Sequence, residues 1–204
     1  MGISKLQELI HLPPPRLDGD VSVEAAVRRR RSVRQYRPGN LLLEQVSQIL
    51  WAAQGMTHHR GFRTVPSAGA LYPLEIYLVA GDVADLEAGI YHYRPQGHGL
   101  SSVVAGDHRG ALAGAALGQK MLESAAAVVV ICAIYERMTG KYGPRGEQYV
   151  HMEVGHAGQN IALQCETLGL GCVMLGAFMD DRVQRVILSQ SPERPLYLIP
   201  VGVV

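Results

Sequence analysis

Apolar residues at Leu42, Val46, Ile49, Leu50 and Ala53 keep the three-and-four spacing of a helix with one buried face. They predict a helix over 41–54, stopped by Gly55. A longer helix is predicted from Gln148 to Leu168, ended by Gly169. The unbroken Val and Ile content of Ala126–Ile134 predicts a strand covered on both faces. Glu75–Ala80 reads as a strand, and Gly89–Tyr93 with Leu100–Val104 as a hairpin around Gln96-Gly97-His98-Gly99. Cys172–Leu175 predicts a short strand and Leu196–Val204 a closing one. Ser22 can cap a helix running into the arginines at 28–31, and Asp180 or Asp181 one running to Leu188. A further helix is expected over 109–117, where Gly110, Gly114 and Gly118 predict close packing of a neighbour. Leu12-Pro13-Pro14-Pro15 reads as a stiff extended arm that could cross a second subunit, and 56–73 as a long loop of the kind that is often functional.

Strands and helices do not alternate regularly, which argues against a doubly wound sheet. The expected class is α+β: a central mixed, mostly antiparallel sheet flanked by helices, with one long central helix. A single domain over 1–204 is expected, with 1–20 as an arm. No G-x-G-x-x-G joins a strand to a helix, so a dinucleotide fold has no support.

Charge changes this picture in one place. The formal net charge is +1, with 18% charged and 48% hydrophobic residues, so a general nucleic-acid surface is not expected. Yet five of the sixteen arginines, Arg28, Arg29, Arg30, Arg31 and Arg34, lie within seven residues around Ser32. Guanidinium forks and a hydroxyl suit a phosphate. A solvated helix end accounts for the run equally well. The longest apolar run, 125–134, is too short to cross a bilayer, and Met1–Leu12 lacks the apolar core of a secretion signal. Cys132, Cys165 and Cys172 read as reduced thiols, so a cytoplasmic location is expected. His151 and His156 are five apart, about 140° around a helix, and are not read as metal ligands. Ser67 lies outside any G-x-S-x-G and is not read as a nucleophile.

Two small-residue segments join the arginine cluster: Val65-Pro66-Ser67-Ala68-Gly69-Ala70-Leu71-Tyr72-Pro73 and Leu168-Gly169-Leu170-Gly171-Cys172-Val173-Met174-Leu175-Gly176-Ala177-Phe178. Each alone is an ordinary bend. In this order, with Glu153-Val154-Gly155-His156-Ala157-Gly158-Gln159-Asn160 between them, they resemble the nitroreductase-like FMN-dependent oxidoreductases over residues 24–203. The resemblance implies a nitroreductase-like fold, a homodimer with FMN at the interface, and electron transfer in two half-reactions. NAD(P)H or an organic hydride donor would supply a small-molecule acceptor. It implies that Arg30, Ser32 and Arg34 hold the FMN phosphate and the pyrimidine edge, with Arg31 as a neighbouring polar contact. Pro66, Ser67 and Ala68 would reach the flavin from the other subunit. Leu175, Gly176 and Ala177 would lie beside the ring, with Gly176 and Ala177 at N5. Ala70 departs from the family's usual Asn and Met174 from a frequent Pro. The sequence closes at Val204 where the family pattern continues to a basic residue near the phosphate.

Arg137-Met138-Thr139-Gly140-Lys141-Tyr142-Gly143-Pro144-Arg145 is similar to the branch containing the azoline-oxidising dehydrogenases. That resemblance implies a catalytic role for Lys141 and Tyr142, because oxidising an organic substrate requires removal of a proton as hydride departs. A surface loop with scattered charges is the alternative. The expected activity is an NAD(P)H-dependent nitro- or quinone-type reductase. The alternatives are a dehydrogenase of an organic substrate such as an azoline, and a flavin-binding protein without turnover.

Overall fold

β5 (Ala127–Ala133) is buried at every position and lies within a seven-stranded sheet. The computed structural model describes residues 9–187 and 192–204. The other strands are β1 (Ile10–His11), β2 (Leu74–Ala80), β3 (Gly89–Arg94), β4 (Gly99–Ala105), β6 (Leu170–Cys172) and β7 (Arg194–Val203), ordered β1-β4-β3-β2-β5-β7-β6. All the strand pairs are antiparallel. Parallel pairing occurs at the isolated bridges Ser32–Cys172 and Leu41–Val83.

The helices are α1 (Val23–Arg29), α2 (Leu43–Gln54), α3 (Arg109–Ala115), α4 (Met121–Ser124), α5 (Glu136–Tyr142), α6 (Arg145–Thr167) and α7 (Asp180–Ile187). β5 is apolar throughout because helices cover both its faces. Val129 and Ile131 pack with Ile49, Leu50 and Ile161 of α2 and α6. Val128 and Val130 pack with Leu112, Leu122 and Val183 of α3, α4 and α7. Burying each such side chain contributes about 1.5–3 kcal/mol.

The fold departs from the expected pattern in four places. The segment over 136–142 is the helix α5, not a loop. It buries only Met138 and carries Gly140, so it has no apolar period to read. α6 begins three residues early and turns sharply against α5. A Cβ at Gly146 would stand 2.7 Å from the Met138 carbonyl carbon, so the corner requires glycine. β6 lies two to three residues earlier than expected, directly after the left-handed Gly169. Close packing through Gly110, Gly114 and Gly118 is not found; a Cβ at any of them would meet nothing within 4 Å.

The N-terminal segment lies against its own chain from residue 10. β1 pairs with β4, Leu12 is buried, and the Arg16 amide donates to Gln48 Oε1 at 2.8 Å. Leu188, the expected end of the last helix, lies outside the described residues.

Candidate functional site

The arginine cluster divides at the end of α1. The Ser22 hydroxyl accepts from the Ala25 amide at 3.2 Å and starts the helix. At the other end Arg31 turns back, and its Nη1 donates to the carbonyls of Arg28, Arg29 and Arg30 at 3.0, 3.2 and 2.8 Å. Arg31 therefore neutralises the negative end of α1. Beyond it the chain is extended along the sheet edge. The Val33 amide donates to the Cys172 carbonyl at 2.9 Å, and the Arg37 amide to the Val203 carbonyl at 2.9 Å. This places Arg30, Ser32 and Arg34 beside β6. Among the described residues, none of Arg28, Arg29, Arg30, Arg31 or Arg34 has a carboxylate within 4.0 Å. The cluster's charge is thus left for solvent or an anion.

β6 belongs to the third segment, so the arginine segment and the third segment touch at Cys172. Leu175 and Leu198 exchange backbone hydrogen bonds at 2.9 and 3.0 Å, and the Leu175 side chain is buried. Its amide is therefore committed to the sheet. Gly176 and Ala177 are exposed, and among the described residues their N–H groups meet no acceptor. The Ala177 carbonyl accepts from Gln119 Nε2 at 2.8 Å, which fixes the bend.

The Pro66–Pro73 loop is a tight 3-10 turn, Ala68–Ala70. Ala70 at φ 53° and Tyr72 at φ 46° occupy the left-handed region without being glycine. Each such residue costs on the order of 1–3 kcal/mol, and such strain concentrates at ligand sites. The Ser67 hydroxyl, accepting from the Tyr72 amide at 2.9 Å, holds the turn. Gly69 is the point of closest approach. A Cβ there would lie 2.7 Å from Tyr142 Oη and 2.9 Å from Lys141 Nζ. Lys141 and Tyr142 at the end of α5 thus converge on the loop, with Tyr142 fixed edge-on against Tyr149 at 5.1 Å between ring centroids.

Glu153, on α6, is a feature the sequence reading did not single out as a site. It is 2% exposed. Gln54 Nε2 donates to its Oε1 at 3.4 Å, and Arg63 Nη1 donates to Gln54 Oε1 at 2.9 Å. Its Oε2 has no partner among the described residues. Burial pushes its pKa up to about 7, against the pull of the Ser67 hydroxyl, the Gln54 amide and the Arg63 charge. One signal was available: with Val150, Ala157 and Ile161, Glu153 falls on the apolar stripe of the helix.

The candidate residues therefore fall into two groups. Arg30, Ser32 and Arg34, bridged to β6 at Cys172, belong with Gly176 and Ala177, which follow β6 in the chain. Pro66, Ser67, Ala68, Lys141, Tyr142 and Glu153 form the other. Among the described residues no cluster of His, Cys, Asp and Glu is arranged to hold a metal ion. The three cysteines are free and buried.

An antiparallel sheet between two helical layers, with an uncompensated cationic segment at its β6 edge, defines the α+β class of the protein. The family model described as "Nitroreductase family" matches residues 27–203, and the chain belongs to this family of oxidoreductases. It is similar to the "Putative nitroreductase" of Methanocaldococcus jannaschii, at 46% identity over 183 residues, covering 90% of this chain and 91% of that one. It is also similar to the microcin B17-processing protein McbC of Escherichia coli, at 30% identity over 140 residues, 66% of this chain. The match spans about half of McbC, 52% of its length. A solved structure from Ralstonia eutropha JMP134, described in the same words as the M. jannaschii protein, superposes with TM-score 0.84 at 27% identity, covering 98% of this chain and 91% of that one.

Proposed function

We propose that the protein is an FMN-dependent oxidoreductase, active as a homodimer that builds each site from both groups of residues. The observation that supports this reading is the bridging of the uncompensated arginine segment to β6 at Cys172, four residues ahead of Gly176 and Ala177, whose amides have no acceptor among the described residues. That donor set fits a ligand with a phosphate at one end and a hydrogen-bonding ring at the other. Arg30, Ser32 and Arg34 would hold the phosphate, while the Gly176 and Ala177 amides face the ring. Arg31 spends its Nη1 on the α1 carbonyls, which supports a lesser part for it as a neighbouring polar contact. Bound there, FMN supplies two-electron hydride chemistry between a nicotinamide or organic donor and a small-molecule acceptor.

Pro66, Ser67 and Ala68 would reach the site from the second copy, bringing Lys141 and Tyr142 with them through Gly69. Exposed Leu17, Val23 and Val27, at 83%, 69% and 56%, offer apolar surface to such a partner. Once there, the Lys141 amine and Tyr142 hydroxyl can take or hold a proton at the substrate. A reductase fed by NAD(P)H has little need of that pair, so their convergence on Gly69 supports a second reading. In it the enzyme is a dehydrogenase of an organic substrate, in keeping with the similarity to a microcin-processing protein.

Rapid-mixing measurement of flavin bleaching by NADH and NADPH separates the readings. The reductase reading expects fast bleaching in wild type that survives Lys141→Ala. No bleaching by either nucleotide rejects it and leaves the dehydrogenase, for which Lys141→Ala lowers substrate oxidation by about 10²–10⁴-fold.

A further inference from the structure

A cavity of about 510 Å³ is walled in part by Leu71 and Tyr72, the end of the 66–73 loop. Its lining includes Arg63, Arg94 and Arg137, with Glu75 as the carboxylate among them and Leu71 and Pro95 as apolar wall. Glu75 is already committed: its Oε1 lies 2.6 Å from Arg137 Nη2, and its Oε2 is 2.7 Å from His92 Nε2. Arg137 also donates from Nη1 to the Tyr72 carbonyl at 3.0 Å, so that guanidinium supports the loop.

The other two arginines retain donors. Arg94 gives its Nε to Ser101 Oγ at 2.7 Å, leaving both terminal nitrogens without an acceptor among the described residues. Arg63 lies 4.5 Å over the Tyr72 ring and spends only Nη1, on Gln54. Neither is in an ion pair among the described residues. Two free guanidinium forks at the mouth of a partly apolar cavity match the two oxygens of a carboxylate.

We propose that this cavity binds the carboxylate end of an organic substrate whose reacting end lies beyond Tyr72, at Gly69, Lys141 and Tyr142. The inference rests on the oxidoreductase reading for the identity of the reacting end. An organic carboxylate suits the cavity better than inorganic phosphate, because part of the wall is the apolar Leu71 and Pro95 and offers a phosphate no donor. Leu71 and Pro95 favour a ligand with a hydrocarbon body next to its carboxylate.

Titration calorimetry of the full-length protein with benzoate tests this, with benzyl alcohol as the uncharged probe and inorganic phosphate as competitor. Saturable binding of benzoate, none of benzyl alcohol, and a loss of roughly ten- to hundredfold in Arg63→Gln and Arg94→Gln are expected. Arg60→Gln, on the same loop but outside the cavity, should bind benzoate as wild type does. Unchanged affinity in both cavity variants, or displacement by phosphate at equal concentration, overturns the proposal. Arg94 is exposed, so its variant remains informative if Arg63→Gln fails to fold. Binding is read without turnover. Failure of the oxidoreductase reading therefore shows in the flavin experiments and not here.

Discussion

Replacing Glu153 with Gln keeps the size of the side chain and removes only its ability to ionise. In the folded protein this carboxyl titrates at about 7, against an ordinary value of 4.5, because it is buried. The difference of about 2.5 units, at roughly 1.36 kcal/mol each, is about 3 kcal/mol. Between those two values the folded protein keeps a proton that the unfolded chain has released. Wild-type stability therefore falls as pH rises through this window and levels off above about 7. Glu153→Gln has no such loss. Urea unfolding of both proteins should give nearly equal stabilities at pH 4.5, and a variant more stable by about 3 kcal/mol at pH 8.5. The contrast between the two proteins isolates Glu153 from every other titrating group. A stability difference from wild type that is the same at both pH values would refute the argument, for it would mean that folding does not raise the pKa of this carboxyl.

Arg31→Ala should lower stability by about 1 kcal/mol, through lost contacts to the α1 carbonyls, with FMN affinity little changed; Arg34→Ala should do the reverse, weakening FMN roughly tenfold or more. Urea melts and fluorescence titration with FMN distinguish the two, and equal effects on FMN would contradict the division of the cluster. Gly69→Ala places a methyl against Tyr142 Oη and Lys141 Nζ at φ 62°, so it should cost about 1 kcal/mol and lower turnover with flavin still bound. Turnover unchanged in that variant, measured at saturating substrate, would separate Lys141 and Tyr142 from the chemistry.

The elements legible in the sequence were those with a strong period or an unbroken apolar run. α2 shows its stripe at Val46, Ile49, Leu50 and Ala53, and β5 its double-sided burial, because tertiary packing demands those residues. α5 was not predicted as a helix because one buried residue, Met138, leaves no stripe. β1 is held by two residue pairs to β4 and cannot be seen without its partner strand. The glycines of α3 were given a packing role that no neighbour takes up, since spacing alone does not say whether a face is covered. At the site, the three segments could be found by composition and order. What could not be read was the division of labour within the arginines. Arg30 and Arg31 are chemically identical, and only the direction of the chain after α1 sends one back to the helix carbonyls. Glu153 was hidden for another reason: a carboxylate on a helix is ordinarily solvated, and its burial depends on α2 and the Arg63 loop.

The most direct test of the central claim is to release the chromophore from the purified protein and identify it by mass. FMN, bound at close to one per chain and lost in Arg30→Ala and Arg34→Ala proteins that remain folded, is the predicted result. FAD, or a protein that takes up no flavin on reconstitution, would contradict it.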